Sequence, residues 1–237
     1  MGSNSLYSDT SGIDNTAVGY QSLYTNVTGG NNTAVGYGAD VSTGNLSNAM
    51  ALGNGAIVNA SNNVVIGNTS VTTIGGYANW TNPSDGRFKT NIQENVPGLD
   101  FILRLRPVTY NFEARKFERF LGKQDSVLQK QAMSYDIAER QVRTGFVAQE
   151  VEKAAIEAGY DFSGIHKPTN DKDNYSLAYA EFTVPLVKAV QEQQKTILEQ
   201  QKSIVNLQKQ VTELISKMKN WESAKQKNGN NYSQFIP

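Results

Sequence analysis

The chain has 237 residues, with 22 basic and 22 acidic side chains, 38% hydrophobic residues, no cysteine and one histidine, His166. That composition excludes a disulfide framework, a thiolate metal site, a cysteine nucleophile and a multi-histidine metal centre. A formal charge of zero argues against a phosphate-driven nucleic-acid binder, and no run approaches the roughly eighteen apolar residues that cross a bilayer, so neither nucleic acid nor membrane insertion is expected.

Residues 1–79 are built from repeats. Ser5-Leu6-Tyr7 recurs as Ser22-Leu23-Tyr24, and Asn15-Thr16-Ala17-Val18-Gly19-Tyr20 recurs as Asn32-Thr33-Ala34-Val35-Gly36-Tyr37, both after seventeen residues. The same step leads from Gly36 to Gly53, and shorter steps reach Val65-Ile66-Gly67 and Thr73-Ile74-Gly75. A strand of three or four residues cannot bury a core alone, but stacked copies can, with alternate small and branched residues inward and glycine at each corner. The spacing predicts a β-solenoid or interleaved β-prism over residues 4 to about 78; a disordered Asn/Gly/Ser/Thr-rich linker is the alternative that composition alone allows. The units resemble the head repeats of trimeric autotransporter adhesins and the shafts of many phage fibres. Met1-Gly2 stands ahead of a repeat in mid-register, which predicts further units upstream in the natural protein. The sequons at Asn26, Asn45 and Asn68 arise readily by chance in such a segment.

Residues 80–185 mix aromatic and charged side chains in globular proportion and predict a compact domain. At its start Ser84 precedes Lys89 by five residues. A serine hydroxyl becomes a nucleophile when a base takes its proton, and a lysine amine can be that base in a Ser/Lys dyad. Spacing alone equally allows a capping serine and a solvated lysine. Phe101 to Arg106 reads as a short amphipathic helix ended by Pro107, and the residues to Phe112 as a strand. Residues 113–143 read as a polar excursion. Thr144 to Ala148 reads as a strand entering a helix, Gln149 to Ala158, that stops at Gly159. A glycan-cleaving enzyme would need paired carboxylates in a cleft; Glu150 and Glu152 are the nearest pair, and their helical placement predicts a solvated face. His166 reads as a loop residue. No cofactor and no metal is expected.

From Leu186 to Gly229 glycine and proline are absent. Val190, Ile197, Ile204, Val211 and Met218 recur every seven residues as heptad position a, which puts Leu186, Gln193, Gln200, Leu207, Leu214 and Trp221 at d. This predicts a coiled coil over 186–221, roughly 50 Å long, with 222–237 as a flexible tail. The two d-position glutamines leave dimer against trimer open; three chains sharing the repeats would point to a trimer.

Ser84-Asp85-Gly86-Arg87-Phe88-Lys89-Thr90-Asn91-Ile92 closely resembles the start of the intramolecular chaperone domain of phage endosialidase tailspikes. The segments Leu105 to Phe112, Gly145 to Val151 and Tyr179 to Leu186 resemble the family's later motifs in the same order, and a coiled coil ends the family's domain. The resemblance covers 84 to about 220. It implies an α+β intertwined homotrimer that helps the preceding fibre segment fold, then cuts the chain at Pro83-Ser84. Carried over, Ser84 is the nucleophile and Lys89 its general base, with Asp85 and Arg87 as motif residues of undecided role. The expected setting is a virion tail fibre or an extracellular, cell-surface appendage, with the host receptor unassigned. The alternative is a trimeric stalk or adhesin domain that does not cut.

Overall fold

The computed structural model describes residues 2–232, with side chains as far as residue 225. It is a mixed α and β structure whose internal contacts form two compact units, one of residues up to 95 with 104–182, the other of 96–103 with 183 onward.

The repeats form six short strands: β1 (Thr16–Val18), β2 (Thr33–Val35), β3 (Asp40–Val41), β4 (Met50–Leu52), β5 (Ile57–Val58) and β6 (Val64–Ile66). Strands β1, β2, β4 and β6 stack in parallel in that order, so Thr16, Thr33, Met50 and Val64 lie on one another at steps of 17, 17 and 14 residues. A second parallel pair sets β3 on β5, with Val41 opposite Val58. The sequence repeat is thus a repeat of rungs.

The interior is narrow, because one ladder contributes alanine on its first three rungs: Ala17, Ala34 and Ala51 point inward with the buried Val41 and Val58 of the other, and Val65 takes the same position on the fourth rung. The flanking Val18, Leu52, Val64 and Ile66 face outward, between 38% and 57% exposed. Over those three rungs small and branched residues therefore do not alternate along one strand, as the sequence suggests; they come from opposite ladders.

Asparagine supplies the polar frame. Asn15 Oδ1 accepts from Asn32 N at 2.9 Å, and one rung later Asn32 Oδ1 accepts from Ala49 N at 3.0 Å. Asn32 Nδ2 donates to Leu46 O and to Asn26 Oδ1, so a side chain with no exposed surface has its hydrogen-bonding groups occupied. The corners require glycine. Gly19 and Gly36 lie at φ +133° and +136°, and a Cβ on either would fall 2.4 or 2.5 Å from the carbonyl oxygen of the next rung's glycine. Outside, Tyr7 stacks on Tyr24 and Tyr20 on Tyr37, at centroid distances of 5.1 and 5.4 Å.

One carboxyl inside this frame makes the array sensitive to pH. Burial pushes Asp40 up to about 6, against the opposing hydrogen bonds from Thr25 Oγ1, Thr25 N and Val41 N. The folded array therefore holds this proton more tightly than the unfolded chain, whose carboxyl titrates near 3.8. The stabilisation is full below that value and is lost as pH rises to about 6, a change on the order of 1–2 kcal/mol for a half-buried carboxyl. Comparing urea unfolding of the wild type and Asp40→Asn at pH 4 and pH 7 isolates it. The wild type is expected to lose stability relative to the variant over that interval; parallel curves would assign Asp40 no role.

Beyond Val71 the chain runs without strand or helix to Asp85, exposed throughout. The expected last unit, Thr73-Ile74-Gly75, forms no rung, and Ile74 is 60% exposed. No partner strand follows it to cover that side chain.

The middle region is organised by an antiparallel pair, β7 (Val108–Asn111) and β8 (Val142–Gly145), with Val108 opposite Gly145 and Asn111 opposite Val142. The helix before it is α1 (Leu99–Arg104). The residues between β7 and β8, expected as a polar excursion, fold into α2 (Ala114–Phe120), α3 (Asp125–Lys130) and α4 (Ala132–Arg140). They enclose a small core of Ala114, Leu128, Tyr135 and Ala138 against Phe112. Arg115 ties the first helix to the third, pairing with Glu139 at 2.6 Å and with Asp136, and donating to Ala132 O.

After β8, α5 (Ala148–Glu157) buries Val151, Ala154 and Ala155, and a short antiparallel pair follows, β9 (Ile165–His166) with β10 (Ser176–Leu177). Tyr179 Oη sits over Gly145, where a Cβ would lie 2.2 Å from it, and accepts from Phe146 N at 3.0 Å. This contact joins two of the motifs noted in the sequence. Gly145→Ala is expected to cost about 2–4 kcal/mol through overpacking and the displaced hydrogen bond, lowering Tm by several degrees. Adding Tyr179→Phe should recover part of the loss by removing the colliding oxygen; no recovery would place the strain elsewhere.

In the second unit, α6 (Thr183–Tyr232) is a helix of 50 residues, on the order of 75 Å at 1.5 Å per residue. It runs past residue 221 into the stretch expected to be a tail; residues 233–237 lie outside those described. Its Glu192 Oε2 accepts from Leu99 N at 2.8 Å, and Gly98 lies so close that a Cβ would fall 2.7 Å from Ala189 N. The heptad side chains are exposed, Val190 at 62%, Ile204 at 53% and Leu207 at 58%.

Candidate functional site

The segment after Pro83 folds on itself. Gly86–Phe88 makes one 3₁₀ turn, and Asp85 caps it by accepting from Arg87 N at 2.9 Å. The Arg87 guanidinium returns to the same carboxylate, with Nη2 at 2.6 Å and Nε at 2.9 Å from Oδ2. This pairing holds Asp85 below the usual carboxylate range and Arg87 above its ordinary value. Lys89 N closes the turn on Gly86 O at 3.2 Å. The turn reverses the chain enough that Lys89 Nζ donates to Ser84 Oγ at 2.8 Å.

Asp85 and Arg87 thus act on the turn rather than on the Ser84 hydroxyl: they fix the reversal that lets residues five apart meet. Both members of the Ser84–Lys89 contact are exposed, as is Pro83. Trp80, Phe88 and Ile92, near these residues in the sequence, are 88%, 82% and 75% exposed.

The remaining candidates lie elsewhere and are otherwise engaged. Glu150 pairs with Arg106 through two hydrogen bonds, which hold its carboxyl below the ordinary range. Glu152 pairs with Lys167 at 2.7 Å and accepts from Tyr175 Oη at 2.9 Å, again with a lowered carboxyl. Each carboxylate has its own cation, so the expected freely solvated face is an ion-paired one, and the two do not form an acid/base couple.

His166 lies in β9 rather than in a loop, its Nε2 2.9 Å from Asp173 Oδ2. Asp173 is buried, which opposes its charge, yet hydrogen bonds from Thr169 N, His166, Thr169 Oγ1 and Asn174 N keep its carboxyl below the usual range. The cluster pins the loop between β9 and β10. No grouping of acidic and histidine side chains among the described residues could hold a metal ion, and no described helix is long and apolar enough to cross a membrane.

Sequence reasoning passed over a second polar cluster, around Glu118 and Lys123. The pair is buried, at 2.8 Å, with side-chain exposures of 1% and 12%. Neither residue stands out in a Lys/Gln/Glu-rich stretch; the only signal is an acidic residue on the side of a short helix that also carries Ala114.

Comparison with protein families matches residues 84–160 to the family described as chaperone of endosialidase, about a third of the chain. The match begins at Ser84, and takes in the turn, β7, the three inserted helices, β8 and α5. Neither the curated proteins nor the solved structures gave a match. The part of the chain that starts at Ser84 is therefore similar to a chaperone domain, in agreement with the motifs read from the sequence up to Val151.

Proposed function

We propose that the chain from Ser84 onward is a trimerising folding chaperone for the β-array before it, and that it severs its covalent link to that array by cutting the Pro83-Ser84 bond. The observation that carries this reading is the 2.8 Å contact from Lys89 Nζ to Ser84 Oγ at the first residue of the family match. In the proposed reaction Ser84 Oγ attacks the Pro83 carbonyl carbon while Lys89, as the free amine, takes the hydroxyl proton. The tetrahedral adduct collapses with cleavage of the C–N bond. Lys89 returns the proton to the departing Ser84 nitrogen, and Pro83 is left as an ester on Ser84 Oγ. Water then hydrolyses the ester, giving a new carboxylate at Pro83 and a free amine at Ser84.

Desolvation favours the free amine. In a trimer, other copies closing over Trp80, Phe88 and Ile92 would supply it, and would couple cutting to assembly. The repeat register supports a β-solenoid shaft, and the exposed seam of α6 supports a homotrimeric coiled coil. The physical need for a clamp is clear: setting three weakly cored chains in one register costs ordering entropy with no early local reward. A C-terminal trimer raises the effective concentration of the strands before they pair. A virion tail fibre or other surface appendage is the setting such a shaft fits.

The alternative is a structural trimeric stalk or adhesin domain that never cuts, favoured by the solvent exposure of the dyad. The denatured intact mass of freshly purified protein separates the two. Fragments 1–83 and 84–237, together heavier than the whole chain by one water, support self-cleavage; a single species overturns it.

A further inference from the structure

The last rungs of the array end against the middle region, and the contact is polar and specific. Glu118 of α2 accepts from Thr69 Oγ1 at 2.7 Å, and its other oxygen meets the Lys123 ammonium at 2.8 Å. Lys123 Nζ in turn donates to Gly55 O at 3.1 Å. On the neighbouring edge Asn59 Nδ2 donates to Asn174 Oδ1 at 2.7 Å and to Lys172 O at 3.2 Å, while Asn170 Nδ2 donates to Asn59 O at 2.9 Å. Glu118 and Asn59 are 1% and 6% exposed.

Two features give this joint a meaning. First, apart from the Glu118–Lys123 pair itself, these bonds run between residues 55–69 and residues 118–174, and none of them involves the exposed stretch 72–83. The peptide link across that stretch is therefore not what holds the two parts together. Second, the array groups that are recognised converge only when the rungs are built: Gly55 O and Asn59 flank β5, and Thr69 follows β6. A buried charge is tolerated only with its partners in place, so an unformed last rung would leave Glu118 and Lys123 without part of their shell. An open pocket of about 300 Å³ lies beside these bonds, lined by Val65, Val71, Phe112, Phe117 and Leu121 together with Thr69, Glu118 and Asn174.

We infer that Glu118, Lys123, Asn170 and Asn174 form a non-covalent latch for the completed last rungs of the array, and that it keeps array and chaperone domain joined after the chain between them is cut. The inference gives the proposed cleavage a further consequence, namely that the cut alone does not release the domain, but it does not depend on which residues do the cutting.

The test uses the full chain carrying Ser84→Ala and a recognition sequence for a site-specific protease placed within residues 75–80. After complete cutting, native mass spectrometry and gel filtration at low micromolar concentration report whether the halves travel together. Co-migration is expected. Thr69→Val, which removes the hydroxyl donor while leaving the Glu118–Lys123 pair intact, should weaken association about tenfold, and Glu118→Ala on the order of 100-fold. Circular dichroism before cutting confirms that each variant is folded. Separation of the parent halves at once, or equal retention in folded Glu118→Ala, overturns the latch. Because the cut is made by an added protease in a chain without Ser84, absence of self-cleavage leaves this result unaffected.

Discussion

Ser84→Ala is expected to leave one uncut chain under conditions where the wild type is converted to two fragments. Without the hydroxyl there is no atom to receive the Pro83 acyl group, so the loss is complete rather than partial. Lys89→Ala keeps the nucleophile and removes the base, so slow cutting remains, reduced by about 10² to 10⁴ in rate. Lys89→Arg should be as slow as alanine, although it preserves charge and length, because a guanidinium does not give up its proton to become a base. Ser84→Cys tests the same logic from the other side. A thiol ionises more readily than a hydroxyl, so in that background Lys89→Ala should cost much less than it does with serine. Equal rates for Lys89→Arg and wild type would remove Lys89 from the chemistry and leave its 2.8 Å contact as a structural feature of the turn. Asp85→Ala provides the control for positioning: it loosens the turn through Arg87 and should slow the cut, while Lys89→Ala in that background still slows it further.

What could be read from the sequence follows from how local each signal is. The rungs were legible because the seventeen-residue step places the same side chains in the same environment each time, as Ala17, Ala34 and Ala51 show. The inward choice of alanine on the first three rungs was not, because Val41 and Val58, which pack against them, belong to a second ladder whose position depends on how the chain turns between Tyr37 and Asp40. Residues 113–143 hid three helices. Each is only six to nine residues long and buries one or two side chains, such as Leu128 or Tyr135, too few to set up a period. Glu118 was invisible for a related reason: its burial is caused by Thr69 and Lys123, and the former lies 49 residues away. The proposed dyad owed its visibility to resemblance. Its geometry rests on a turn that Asp85 and Arg87 fix within two residues of each other, which is the one part of the site that local chemistry determines.

Ile204→Asp is expected to turn the proposed trimer into monomers, and with it to prevent the array from forming. Along α6 the side chains Val190, Ile197, Ile204, Val211 and Met218 form one stripe, and all are between 45% and 63% exposed in the single chain. An isolated helix of this kind has little to hold it beyond its own hydrogen bonds, whereas burial of a full-sized aliphatic side chain contributes roughly 1.5–3 kcal/mol. An aspartate at the centre of the stripe places one carboxylate per chain at the same level of the bundle, so that layer loses its apolar contact and gains mutual repulsion. Sedimentation equilibrium should show the mass fall threefold at micromolar concentration, and far-ultraviolet circular dichroism should lose helix. The d-position glutamines give the opposite test. Gln193→Leu and Gln200→Leu replace polar layers by apolar ones and should raise the Tm of the assembled protein by several degrees, at some risk to the choice of three strands over two. The effect on the array separates a clamp from a mere tether. If the clamp reading holds, Ile204→Asp leaves residues 1–79 open to proteolysis even though no residue of the array has changed, and grafting an unrelated trimeric coiled coil after Val190 restores their protection. Monomeric Ile204→Asp protein with a protease-resistant array would show instead that one chain closes its rungs unaided, as the buried Ala17, Ala34 and Ala51 ladder would then suffice to do.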